Sequence, residues 1–394
     1  MLKAQLLKIV MNDFTDMNCL VEAFNRVRKA SGWKASTQKF ELNLLKELMD
    51  LQNELRSCTY VPSECNTFAL NENGRIRVVK ALSVRDNVVQ HSLCDNVLIP
   101  ILSKYMIHDS GASLKNKGLS FTRRRFEQHL RWHYRRYKTE GYILKIDFRR
   151  YFDNIRHDIL LENIKKYIDD NVVISTLETI LKANEIDISF ADNNYINEVF
   201  NSIDYEKISK ELKVKEKFMN KCLGVGAPVS QISGIFFPTK LDNYVKTVKG
   251  IYCYDAYMDD RIIVHHSKKY LKQLLEEIKE VASSLGIFIN ERKTQIIKIS
   301  RGFTFLKTKY FLTKTGKIIK KIPRDVIVRQ RRKMKKLAKF VIDRKMTLVQ
   351  FKDQYESWRG DKSRYNAYKT LLRMDELYQK LLLNICKELS KDMT

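Results

Sequence analysis

Ile251-Tyr252-Cys253-Tyr254-Asp255-Ala256-Tyr257-Met258-Asp259-Asp260-Arg261-Ile262-Ile263-Val264-His265 is the stretch on which the fold turns. β-Branched and aromatic residues flank an acidic centre, so the run reads as two strands joined at a tight polar turn, with Asp259 and Asp260 at the hairpin tip. Upstream, Tyr142-Ile143-Leu144-Lys145-Ile146-Asp147-Phe148 gives another short β-prone run ending in a carboxylate, and a helix is expected to begin near Arg156-His157-Asp158. Two carboxylates at strand ends on one sheet, Asp147 and Asp259, suit a pair of magnesium ions, which take hard oxygen ligands and share their shell with substrate phosphates. Either alone is ordinary: paired aspartates are common in solvated turns, and an aspartate after a strand is often only a helix cap.

Outward from these runs the pattern is mixed. Lys268 to Leu285 reads as a helix after the hairpin, and everything from Arg324 onward reads as helices only. In that tail Ile327, Met334, Leu337 and Val341 share one stripe, while Arg329, Arg331, Arg332, Lys333, Lys335, Lys336 and Lys339 fill the remainder. Towards the N-terminus Phe40, Leu44, Leu45, Leu48 and Leu51 recur at helical spacing, leading into a basic turn at Gly74, and Val84 to Tyr105 reads as a buried helix. Strand, helix and hairpin therefore alternate as in an α+β sheet backed by helices. No repeat, Pro/Gly-rich linker or low-complexity tract marks a domain boundary.

The chain has 394 residues, 44% of them hydrophobic, enough for a sizeable core. Its formal net charge of +27 points to a polyanionic partner, nucleic acid first. A lysine-rich genome or an anionic membrane surface would also produce a basic chain. Against both, basic residues interleave with aromatics in Arg123-Arg124-Arg125-Phe126 and Arg131-Trp132-His133-Tyr134-Arg135-Arg136-Tyr137, a mixture that offers phosphate contacts together with stacking faces. The seven cysteines lack C-x-x-C or zinc-ligand spacing, so neither a disulfide framework nor a zinc site is expected. The apolar stretch near Leu6 to Met11 is too short for a signal segment and no run approaches a membrane span, so a cytoplasmic protein without membrane contact is expected.

With Tyr257-Met258-Asp259-Asp260 preceded by Ile146-Asp147-Phe148-Arg149-Arg150-Tyr151-Phe152-Asp153-Asn154-Ile155, the sequence resembles the reverse transcriptase family at its palm motifs C and A. Gly224 to Gln231 resembles motif B, Leu285-Gly286 with Lys293-Thr294 motif D, and Phe303-Thr304-Phe305-Leu306 the primer grip, in the family's order. The resemblance implies a right-hand polymerase fold of fingers, palm and thumb, with an antiparallel palm sheet and a helical C-terminal thumb. It assigns residues 1–140 to N-terminal helices and fingers, 141–312 to the palm with an insertion at about 169–218, and 313–394 to a basic thumb. It further implies RNA-directed DNA synthesis by two-metal nucleotidyl transfer, with Mg2+ as the natural ion and Mn2+ as a substitute.

By the same resemblance Asp147 and Asp259 are metal ligands, Asp260 adds charge, the Phe148 carbonyl completes a metal shell, and Lys293 is a catalytic lysine acting on the leaving pyrophosphate. Phe152 corresponds to the steric gate against a 2′-hydroxyl. Arg75, Arg77 and Lys80 would grip the triphosphate, with Val225, Gly226 and Gln231 beside the nascent base pair. Lys115 and Lys117 lie where bacterial relatives carry a template-contacting loop, and Arg329, Arg332 and Lys336 belong to a thumb helix against the RNA/DNA duplex. Plain alternatives stand beside these assignments, since Phe152 also suits a core position and Lys293 an exposed one.

Motif B, Val225-Gly226-Ala227-Pro228-Val229-Ser230-Gln231, looks closest to reverse transcriptases of diversity-generating retroelements, which copy a template-repeat RNA with errors at adenines and work with a pentameric accessory protein. The rival reading is an anti-phage defence enzyme that uses a structured noncoding RNA or synthesises DNA without a template. A reading of another class is a catalytically inactive basic RNA-binding protein. Retention of Asp147, Asp259 and Asp260 argues against it, because clustered acids without a metal repel one another.

Overall fold

The computed structural model describes residues 13–72, 75–187, 213–215 and 218–391. The chain divides into two compact units, one of Met1–Arg125, Lys145–Ile263 and Lys269–Gln295, the other of Phe126–Leu144, Val264–Lys268 and Ile296–Thr394.

In the first unit, helices Met17–Ser31, Ala35–Leu42 and Leu44–Arg56 precede the antiparallel hairpin of strands β1 (Asn66–Glu72) and β2 (Arg75–Ala81). The first helix starts where the Asp16 side chain accepts from the Asn18 N–H at 2.8 Å, and buries Leu20, Phe24 and Val27 on one face. The apolar stripe expected over Phe40 to Leu51 is interrupted: the helix breaks at Asn43, so Phe40, Leu48 and Leu51 are buried while Leu45 is 69% exposed. The expected turn at Gly74 lies outside the described residues. Helix Val84–Leu93 continues through a π-helical turn, Cys94–Leu98, into Ile99–Leu102, matching the long buried helix read from sequence.

A four-stranded sheet has the order β7-β8-β3-β9, where β3 is Tyr142–Asp147, β7 is Tyr254–Tyr257, β8 is Asp260–His265 and β9 is Gln295–Lys298. Strands β3 and β8 are buried at most positions rather than at alternate ones, as in strands covered on both faces. Helix Pro228–Phe236, with proline in its first turn, is buried from Val229 to Phe236 except at Gln231. Helix Lys268–Ser284 instead buries one stripe, Leu271, Leu274, Ile278 and Ala282. The segment at about 169–218 contributes helix Asn171–Lys182 and a small sheet of order β4-β6-β5, formed by Ile186–Asp187 (β4), Lys213–Lys215 (β5) and Phe218–Met219 (β6).

The second unit carries an antiparallel sheet of β10 (Phe303–Phe305), β11 (Thr308–Leu312) and β12 (Ile318–Lys321), followed by helices Arg324–Ile342, Leu348–Lys362 and Tyr368–Lys391. Phe126 packs its ring against Phe305 and Tyr310, each 5.2 Å away between centroids. The three helices share a core that includes Met334, Val341, Phe351, Tyr355, Met374 and Tyr378, with Ile327 and Leu337 packed at its margin. The stripe read from sequence is thus the packed face. Among the described residues no helix is long and apolar enough to cross a membrane.

Candidate active site

Strand β3 delivers Asp147 at its last position, where the residue is only 8% exposed. Its neighbour β8 begins with Asp260, and the antiparallel pairing of Tyr257 with Asp260 leaves Met258 and Asp259 as the two-residue turn. Met258 takes a φ of 51°, a left-handed conformation that such turns require and that costs a residue with a side chain about 1 kcal/mol. Burial pushes the Asp260 carboxyl above the usual carboxylate range, Lys145 at 3.7 Å pulls it back, and Asp259 and Asp147 push it further up. Asp260 is thus coupled to both of the other acids.

Asp147 is anchored from the turn that follows Ile289. The Asn290 N–H donates to the Asp147 carbonyl at 2.8 Å and the Arg149 N–H to the Phe288 carbonyl at 2.7 Å, so pairing continues beyond the end of β3. From this turn the Asn290 side-chain amide donates to one Asp147 carboxylate oxygen at 3.1 Å. Lys293 Nζ lies 3.0 and 3.3 Å from the two oxygens of the same carboxylate. Lys293, read from sequence as catalytic, is thus brought onto Asp147, with its side chain still half exposed.

Beneath the turn lies Arg261, fully buried. Its Nε and Nη2 donate to the two carboxylate oxygens of Asp242 at 3.2 and 3.3 Å, Nη1 donates to the Met258 carbonyl, and the guanidinium sits 4.6 Å from the Phe148 ring centroid. Burial opposes the Arg261 charge, and Asp242 outweighs it, leaving the guanidinium more firmly protonated than usual. Tyr254 donates its hydroxyl to Asp242 at 2.5 Å. Sequence reasoning passed over Lys145, Asp242, Arg261 and Asn290. Arg261 and Lys145 each left a signal, a charge inside a run of apolar strand residues.

Phe152 is half-buried beside helix Pro228–Phe236, where a Cβ built on Gly234 would come within 3.1 Å of its ring. Val225 is half-buried and Gly226 exposed with a φ of 103°, and Gln231 accepts from the Ser113 hydroxyl at 3.4 Å. Lys80 reaches the Ala183 carbonyl at 3.4 Å. Arg75 and Arg77 pair with Glu72 and Leu70 across the β1–β2 hairpin, and their side chains lie outside the described structure. Lys115 is exposed, whereas Lys117 donates to the carbonyls of His108 and Ser110, both at 2.9 Å, and burial lowers its pKa against the pull of Asp109. Lys117 thus ties its own loop together.

In the second unit Arg329 pairs with Asp325 at 2.6 Å, Arg332 lines a shallow surface with Arg324 and Val328, and Lys336 lies over the Phe340 ring at 5.4 Å.

The donor set fits divalent magnesium: Asp147 at a strand end and Asp259 and Asp260 at the adjoining hairpin tip offer hard oxygens, and a cation would offset both the burial of the Asp260 carboxylate and the charge of the two acids that act on it. The Lys145 ammonium lies at Asp260 and the Lys293 ammonium at Asp147, and the buried Arg261 guanidinium also acts on Asp260.

The profile of the family described as Reverse transcriptase (RNA-dependent DNA polymerase) matches residues 70–310. The chain is 24% identical over 319 residues to the Putative COX1/OXI3 intron 1 protein of Saccharomyces cerevisiae, covering 71% of this chain and 37% of that protein. Solved structures similar to it include telomerase from Candida albicans in complex with a TWJ fragment of telomeric RNA, at a TM-score of 0.46 and 12% identity, over 84% of this chain and 55% of that one. Apo telomerase from Candida tropicalis follows at 0.40 and 16%, over 66% and 49%. The chain therefore spans roughly a third to just over half the length of these relatives.

Proposed function

Because the chain belongs to the reverse transcriptase (RNA-dependent DNA polymerase) family, we propose that it copies RNA into DNA at the site formed by Asp147, Asp259 and Asp260. The observation that carries this reading is the placement of Asp147 at the end of β3 beside the hairpin tip of Asp259 and Asp260, with Lys293 and Asn290 on Asp147. Asp147, Asp259, Asp260 and the Phe148 carbonyl would hold two Mg2+ ions, with Mn2+ able to replace them; the ions supply activation of the primer 3′-hydroxyl and neutralisation of phosphate charge.

The chain's own residues do the positioning. Asn290 orients the Asp147 carboxylate. Lys293, on a half-exposed side chain, can turn from Asp147 to the leaving pyrophosphate and neutralise its charge or deliver a proton from Nζ. Arg75, Arg77 and Lys80 grip the triphosphate, and the Phe152 ring excludes the 2′-hydroxyl and so favours dNTPs over ribonucleotides. Lys115, Arg329, Arg332 and Lys336 meet the phosphates of template RNA and RNA/DNA duplex, whereas Lys117 organises its loop. In this reading residues 1–140 form N-terminal helices and fingers, 141–312 the palm, and 313–394 the thumb of a right-hand polymerase.

The finer role we infer is error-prone copying in a diversity-generating retroelement, with a pentameric accessory protein as partner. Its support is motif B, where Val225 replaces the glutamine common before that glycine. The test is primer extension with magnesium on an adenine-rich RNA template, followed by product sequencing. Errors concentrated at adenines support diversification. Faithful copying, or synthesis without template, points instead to phage defence with a structured noncoding RNA, and full biological activity of Asp259→Asn points to an RNA-binding protein that does not polymerise.

A further inference from the structure

We propose that Arg261 is a positioning residue that fixes the Met258–Asp259 peptide, and through it the direction in which the Asp259 carboxylate leaves the turn; this rests on the polymerase reading above. One buried guanidinium meets three parts of the site. Its Nη1 donates to the Met258 carbonyl, its Nε and Nη2 hold the two oxygens of Asp242 at 3.2 and 3.3 Å, and its face lies 4.6 Å from the ring of Phe148, the residue that follows Asp147.

The geometry leaves the guanidinium little freedom. A planar fork held bidentately by a carboxylate has its remaining nitrogen aimed in one direction, and here that direction is the turn carbonyl. Asp242 is itself fixed, because the Tyr254 hydroxyl donates to it at 2.5 Å from strand β7, one end of the same hairpin. The carbonyl of Met258 belongs to the peptide plane that enters Asp259, so holding that oxygen sets the orientation of the Asp259 backbone. Met258 is also in the left-handed region, at a φ of 51°, a conformation that persists where surrounding contacts over-determine it.

A purely structural role accounts for this arrangement less well. A buried ion pair is seldom worth more to stability than apolar side chains of equal volume, and the other buried positions of strand β8 are Ile262, Ile263 and Val264. An aliphatic residue at 261 would fill the space without reaching the Met258 carbonyl. The arginine adds the aim of one hydrogen bond at the turn that carries the metal-binding acid.

The experiment compares the full chain with Arg261→Met/Asp242→Asn, which removes both charges and keeps an acceptor for the Tyr254 hydroxyl, and with Arg261→Lys, which keeps the charge and loses the fork. Three quantities are read: the melting temperature, single-turnover primer extension resolved into maximal rate and nucleotide Kd, and hydrogen exchange of the amides at 258–260. The double variant should melt close to the wild type while its maximal rate falls about 100-fold, the scale expected when a reacting group is misplaced by about 1 Å. Nucleotide Kd should stay within about threefold, and the turn amides should exchange faster. Arg261→Lys should melt as the wild type with an intermediate rate.

A double variant that keeps both the wild-type rate and wild-type exchange at the turn overturns the proposal. If the double variant does not fold, Arg261→Lys decides: a reduced rate at unchanged melting supports it, and a wild-type rate overturns it. If the wild type extends no primer, the polymerase reading has failed. Hydrogen exchange still judges Arg261 in that case, faster exchange at 258–260 supporting its hold on the turn and unchanged exchange refuting it.

Discussion

The ammonium of Lys293 lies 3.0 Å from a carboxylate oxygen of Asp147, across a separation of 146 residues in the chain. The contact exists because the backbone of Asn290 pairs with Asp147 and the following turn swings Lys293 back over the strand end. If Lys293 neutralises charge on the leaving pyrophosphate, Lys293→Gln should lower the single-turnover extension rate about 100-fold while the protein melts normally. Asn290→Ala should lower it by a smaller factor, since the Lys293 contact remains. An unchanged rate in Lys293→Gln would leave the lysine as a counter-ion only.

Sugar selection should depend on the packing between Phe152 and Gly234. A Cβ at 234 would approach the Phe152 ring at 3.1 and 3.2 Å, so the ring has little room to retreat on that side. Phe152→Ala should raise ribonucleotide incorporation relative to dNTP by about tenfold or more, as removal of a steric clash does. Competition assays with a single ribonucleotide and its deoxy counterpart check this, and unaltered discrimination would make Phe152 a core residue.

Salt dependence of duplex binding separates the cations of helix Arg324–Ile342. Arg332→Ala and Lys336→Ala should each reduce the slope of log K against log salt by about 1. Arg329→Ala should change it less, because Asp325 at 2.6 Å already shares its charge. Lys117→Ala should leave the slope nearly unchanged and lower the melting temperature, since its ammonium serves the His108 and Ser110 carbonyls.

Acid should begin to destabilise the fold through its buried histidines. Burial, the leading cause in each case, lowers the pKa of His91, His133, His157 and His265 below the ordinary histidine value of 6.5. The unfolded chain therefore binds these protons first, so their contribution is present above about pH 6.5 and is lost as pH falls through the depressed folded values. Melting temperature should drop between pH 7 and pH 5. His157→Gln, which can keep a donor towards the Cys222 carbonyl held at 2.7 Å, should flatten that drop.

Much of this site is legible from sequence because short-range rules govern it. The hairpin around Met258 and Asp259 announces itself through strand-forming residues on both sides of a polar pair, and the strand ending in Asp147 through its apolar run. What was not legible depends on distant partners. Arg261 reads as a solvent-facing break in a strand until Asp242, nineteen residues away in the chain, is found beside it. Lys145 gives no hint of Asp260, and Lys117 reads as a free phosphate ligand until two carbonyls claim it. The helical stripe through Leu44 and Leu45 failed for a local reason, since the break at Asn43 rotates the second helix and leaves Leu45 outside.

Primer extension by the purified chain on an RNA template with magnesium and dNTPs, comparing wild type with Asp259→Asn, tests the polymerase reading most directly. Template-dependent DNA synthesis by the wild type should fall about 1000-fold in Asp259→Asn at unchanged melting temperature, as the loss of several kcal/mol of charge stabilisation requires. Equal synthesis by the two proteins would contradict the assignment of Asp259 to the reaction.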